Sequence, residues 1–137
     1  MGQVTGWVVA VFLVGAPFAI RAQDDNNNIG TITVEIRDST FKYQARVLKV
    51  DQEVTIVLRN QDSIRHGLTS PAFADVEVRV EADSATTYGR GIKGLYLNPG
   101  QEVRIYFTPT HPGKLTFRCD LHPAMKGELL FLSVGVT

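Results

Sequence analysis

Between residues 29 and 134 the chain is built of short runs in which apolar and polar residues alternate, and turn residues separate most of them. A period of two puts one face of a strand on a core and the other in water. Ile32, Val34 and Ile36 alternate in this way across 29–37, and Val76, Val78 and Val80 across 76–81. The segment 103–108 alternates as well. Segments 41–50 and 53–60 flank the turn Asp51-Gln52, and a short strand at 95–97 runs into Asn98-Pro99-Gly100-Gln101. Pro112-Gly113 separates 103–108 from 115–119, and 128–134 closes the domain. Proline and glycine stop strands and helices alike, so these positions are breaks. No stretch shows a helical repeat. The expectation is an all-β chain folded as a β-sandwich. Residues 71–96 carry the weakest pattern and read as a connection crossing the sandwich. Within them Tyr88–Gly94 is glycine-rich with two cations, but it lacks the strand–loop–helix setting of a phosphate-binding loop.

Length and charge narrow the function. The 137 residues suffice for one domain. Residues 7–20 are almost wholly apolar. Fourteen residues are too few for a membrane span of about 20 but fit the apolar stretch of an export signal. The expected organisation is a signal peptide at 1–22, with an uncleaved anchor as the alternative, a polar linker at 23–28 and a folded domain at 29–137. A periplasmic or otherwise exported protein follows, touching a membrane only if the N-terminal segment is retained. Acidic and basic residues number 14 each; loss of Arg21 with the leader leaves 13 basic against 14 acidic, a charge of −1. There is no basic stripe or tail for nucleic acid. Cys119 is the only cysteine, so no internal disulfide can form. A lone thiol in an oxidising compartment is a hazard unless something occupies it.

Cys119 lies in Phe117-Arg118-Cys119-Asp120-Leu121-His122-Pro123-Ala124-Met125-Lys126-Gly127. The spacing Cys-x2-His-x2-Met puts a thiolate, an imidazole and a thioether on one short loop. Soft sulfur ligands with imidazole suit copper, and blue-copper centres use one Cys, two His and a weak axial Met. Zinc rarely accepts a thioether. The fourth donor must be one of two remaining histidines, His66 and His111. His66 follows the apolar run 54–58 on a loop leaving a strand. His111 sits in a turn, and at about 3.3 Å per residue the strand 115–119 keeps it more than roughly 10 Å from Cys119. The candidate ligands are therefore His66, Cys119, His122 and Met125.

These two loops resemble those of the cupredoxins, small type 1 copper proteins, and the Cys119–Met125 spacing is most similar to that of the amicyanin subgroup. The resemblance covers residues 29–137. It implies a Greek-key β-sandwich, one copper per chain and one-electron transfer. Many members carry Asn directly after the first ligand His, where it ties the two ligand loops together. Here that residue is Gly67, and Asn60 and Asp120 are the candidates for a substitute.

An enzyme is not expected. A Cys119–His nucleophile pair would have no use for Met125, and three histidines cannot build the additional copper centres of an oxidase or nitrite reductase. A copper carrier or chaperone is the alternative function. Such proteins display several Met or His residues, whereas this chain has Met125 and the initiator alone. The expected partners are redox proteins that dock on a small apolar patch around His122, formed by Leu121, Pro123 and Ala124 and joined by Leu68, Pro71 and Phe73. The expected state is a monomer.

Overall fold

The computed structural model describes residues 2, 30–83 and 85–133. The expected export signal (Gly2 apart), the linker and the last residue of the 128–134 run lie outside the described residues. In chain order the strands are β1 Thr31–Arg37, β2 Thr40–Tyr43, β3 Val47–Lys49, β4 Val54–Asn60, β5 His66–Thr69, β6 Glu77–Ala82, β7 Ala85–Arg90, β8 Gly94–Leu97, β9 Glu102–Phe107, β10 Gly113–Arg118 and β11 Lys126–Leu132. Among the described residues there is also a single turn of 3-10 helix, Pro71–Phe73.

Two sheets pack face to face. The first has six strands in the order β2-β1-β4-β9-β6-β7, and the second has five in the order β3-β11-β10-β5-β8. Most connections cross from one sheet to the other, which produces the sandwich. Pairing is antiparallel except for β1 with β4 and β11 with β3. The alternation read from the sequence points the same side chains inward. Ile32, Val34 and Ile36 on β1, Ile56 and Leu58 on β4, and Ile105 and Phe107 on β9 meet Leu68, Leu97, Leu129 and Phe131 from the facing sheet. Phe107 joins the layers by edge-on contacts with Phe73 at 5.2 Å and Phe131 at 6.3 Å.

Three expectations change. The run 41–50 is two strands in different sheets. Phe41 and Leu48 are both buried although they stand an odd number of positions apart, which would put them on opposite faces of one continuous strand. Second, much of the segment 71–96 is ordered strand. β7 pairs with β6 along its whole length, from Glu77↔Arg90 to Ala82↔Ala85. It lies at a sheet edge with no side chain buried, so it lacks the alternation that would mark it. The glycine-rich Tyr88–Gly94 stretch is the end of β7 and its turn into β8. Third, His66 is the first residue of β5 and pairs with Leu97.

Candidate metal centre

Two pieces of the fold converge at one end of the second sheet. The first is the β4–β5 connection. β4 ends at Asn60, a buried polar residue. Its carboxamide donates to the carbonyls of Ile64 (2.8 Å) and Leu97 (3.2 Å), and its oxygen accepts from the Asp62 amide (3.1 Å). These bonds curl the loop so that β5 starts at His66. They also settle the role of Asn60: it shapes the first ligand loop and ties it to β8, without reaching the Cys119 loop.

Asp62, within that loop, was not singled out from the sequence. Its carboxylate accepts the Asp38 and Ser39 amides at 2.7 and 2.9 Å. Those two residues form the β1–β2 hairpin turn with φ of 53° and 50°, as a two-residue turn between twisted strands requires. The same carboxylate lies 2.8 Å from His66 Nε2. The Ser39 amide above all, aided by the Asp38 amide and His66, holds the Asp62 carboxyl below its ordinary range against the opposing effect of burial. A carboxylate can only accept, so His66 Nε2 carries the proton and Nδ1 keeps its lone pair. His66 is fully buried, and Nδ1 has no hydrogen-bond partner. Buried polar atoms are nearly always partnered, and an unpartnered imidazole lone pair at this place suits a metal ion.

The second piece is the β10–β11 hairpin. Arg118↔Lys126 is its last paired register. Beyond it the Cys119 amide donates to the Met125 carbonyl at 3.1 Å, and the Met125 amide donates to the His122 carbonyl at 2.9 Å. These bonds hold Cys119 and Met125 at the base of the loop, where both are buried, and leave half-buried His122 at its tip.

His66, Cys119 and His122 place one ligand atom each within 4.8 Å of one another. Cys119 Sγ is 3.5 Å from His122 Nδ1, and the two imidazoles stand 4.7 Å apart at 49°. Three donors sharing a cation at about 2.0–2.3 Å lie roughly 3.5–4 Å apart, so the cluster has the size of a metal site. Met125 lies beside it in the same loop, buried, with its backbone bonded to Cys119 and His122. His111 is outside the cluster; it is exposed, with Nδ1 2.9 Å from Thr110 Oγ1.

Around the thiol, the Gly67 amide donates to Cys119 Sγ at 3.2 Å. A side chain on residue 67 would fall on the Asp120 carboxylate and 3.1 Å from the Tyr96 ring. Tyr96, opposite Gly67 on β8, donates its hydroxyl to Asp120, and the Arg65 guanidinium lies 4.6 Å over its ring. The bond to Asp120 raises the Tyr96 hydroxyl above its ordinary pKa. Neither Tyr96 nor Asp62 carries a sequence motif; both are found only through the pairing of strands distant in the chain.

The apolar collar is smaller than expected. Leu121, Pro123 and Ala124 are exposed beside His122. Leu68 and Phe73 are each 1% exposed and belong to the core, because β5 and the 3-10 turn direct them between the sheets.

The chain matches the cupredoxin-like domain family over residues 8–131. This protein is a cupredoxin, and copper is the metal of its family. Among solved structures it is similar to a reduced proline-to-phenylalanine variant of amicyanin, at 21% identity over 75% of this chain and 83% of that one, with a TM-score of 0.51. It is also similar to a multicopper oxidase at 10% identity, covering 74% of this chain and 43% of that one, TM-score 0.56. A third match is a multicopper oxidase from Campylobacter jejuni described as a metallo-oxidase, at 9% identity, covering 76% and 29%, TM-score 0.53. The chain thus spans less than half of either oxidase, and at these identities the likeness is one of fold. A search of curated protein sequences finds no match.

Proposed function

We propose that this cupredoxin is an exported one-electron carrier with a single type 1 copper held by His66 Nδ1, Cys119 Sγ, His122 Nδ1 and, as a weak axial donor, Met125. The observation that carries the reading is the buried, unpartnered Nδ1 of His66 facing a thiol and a second imidazole. Thiolate with two imidazoles and an axial thioether is the donor set of blue-copper electron-transfer centres. When bound, copper supplies the one-electron couple.

The chain's own residues supply rigidity and access. Asp62 fixes the His66 tautomer, and the loop hydrogen bonds fix Cys119 relative to Met125. Pro123 locks φ next to His122 and offers no N–H. A site that does not rearrange keeps the cost of changing oxidation state small. His122, half-buried in a collar of Leu121, Pro123 and Ala124, is the route by which electrons pass to a partner. Transient redox encounters bury less than about 1,200 Å², so a patch of this size suffices. The 1–22 segment directs export, and the carrier works as a monomer.

The test is a visible and electron paramagnetic resonance spectrum of copper-loaded protein. Intense colour with narrow copper hyperfine splitting is expected, lost in Cys119→Ala and strongly altered in His66→Ala but not in His111→Ala. A colourless cupric form with an ordinary tetragonal spectrum overturns the assignment. Rapid surrender of copper to a competing protein would make the chain a copper carrier.

A further inference from the structure

β5 carries His66, β10 leads into Cys119, and the two strands share only one register pair, Arg118↔Thr69. Backbone pairing therefore does little to fix the first ligand against the loop that bears the other three. Across this seam the chain places an unusual set of side chains. Residue 67 has none. The Asp120 carboxylate fills the space that a side chain there would occupy. Tyr96, held opposite Gly67 by the β5–β8 ladder, donates its hydroxyl to that carboxylate. Arg65 covers the outer face of the Tyr96 ring at 4.6 Å. Beneath them runs the 3.2 Å bond from the Gly67 amide to Cys119 Sγ.

We propose that Tyr96 and Asp120 form a strap from β8 over Gly67 to the Cys119 loop, and that as positioning residues they hold the Gly67 N–H on the thiolate and so set both the retention of copper and its potential. The inference rests on the copper reading above. Gly67 is required because any side chain there displaces the Asp120 carboxylate. An N–H donated to sulfur withdraws charge from the thiolate. This favours the reduced metal, so the bond raises the potential, in line with the tuning of metal centres by hydrogen bonds to their ligands.

The deciding measurement is amide hydrogen exchange at Gly67 in metal-free protein, which does not depend on what metal binds. Tyr96→Phe and Asp120→Ala should each speed exchange at Gly67 by about tenfold or more and leave Leu58 and Ile105 unchanged. Asp120→Asn, which keeps an acceptor for the hydroxyl, should stay near the wild type. Unchanged Gly67 exchange in both Tyr96→Phe and Asp120→Ala overturns the strap. In copper-loaded protein, Tyr96→Phe should release Cu(I) to bicinchoninate about tenfold faster, the low end of the effect of losing a partner that orients a ligand, and should lower the potential without any change of charge. A potential and release rate identical to the wild type also overturn it. Should the wild type fail to hold copper while Gly67 exchange still responds, the copper reading falls and the strap stands.

Discussion

His66 Nε2 lies 2.8 Å from Asp62 Oδ2, and that carboxylate also receives both amides of the β1–β2 turn. One side chain of the β4–β5 loop therefore links a candidate metal ligand to a hairpin of the opposite sheet. Asp62→Ala frees the His66 tautomer and should weaken copper binding by about 10- to 100-fold. It also leaves the Asp38 and Ser39 amides without their partner, at about 1–3 kcal/mol of stability. Equilibrium denaturation of metal-free protein and copper competition measure the two effects separately.

Met125 offers a second prediction. A weak axial donor tunes the potential more than it holds the metal. Met125→Leu should keep copper and raise the potential; Met125→Gln brings a harder oxygen donor that favours Cu(II) and should lower it. Voltammetry checks both, and a wild-type potential in both variants would make Met125 a core residue only.

Gly127 leaves room for the Phe117 ring, which a Cβ there would strike. Phe117 in turn meets Phe41 at 5.0 Å and Tyr43 at 5.5 Å. Gly127→Ala should destabilise the fold by about 1–3 kcal/mol through overpacking. Adding Phe117→Leu should cost less than the sum of the two single changes, since the residues touch.

Alkaline stability should depend on Tyr106. Burial, and then its bond to Glu81 at 2.9 Å, raise the hydroxyl above its ordinary value of 10.0. The unfolded chain therefore loses this proton first. The stabilisation is fully present below about pH 10 and is lost as pH rises through the folded-state pKa. Tyr106→Phe should flatten the fall in stability above pH 10, as followed by urea titration at several pH values.

The collar gives the last prediction. Leu121→Asp and Ala124→Asp should slow electron self-exchange while leaving the visible spectrum almost unchanged. With a net charge of zero for the full sequence, little long-range steering is available to compensate. Unaltered rates in both would place electron entry on another face.

The sandwich was legible wherever one face of a strand is buried, because Ile32, Val34 and Ile36 or Val103 and Ile105 repeat at period two. It was illegible at β7, where Thr86, Thr87 and Tyr88 face solvent and backbone pairing alone makes the strand. The break between β2 and β3 has no glycine or proline; only the change of parity from Phe41 to Leu48 betrays it. Of the candidate site, Cys119, His122 and Met125 were legible, because their types are rare and their spacing on one loop is local. Its supports were not. Asp62 matters because of a turn 23 residues away, and Tyr96 because of a register across β5 and β8. Gly67 announced that something was different, and only the packing shows that Asp120 took the space.

The candidate donors come from β5 and from the loop joining β10 to β11, and so sit on both sides of the thinnest joint of the five-stranded sheet, the single pair Arg118↔Thr69. A cation held by His66 on one side and by the β10–β11 loop on the other would work as a rivet through that joint. Copper in 100-fold excess over its dissociation constant would add about 2.7 kcal/mol to the folded state. That gain should be felt first along the β5–β10 line, so that loading the protein with metal also stitches one of its two sheets into a single mechanical piece.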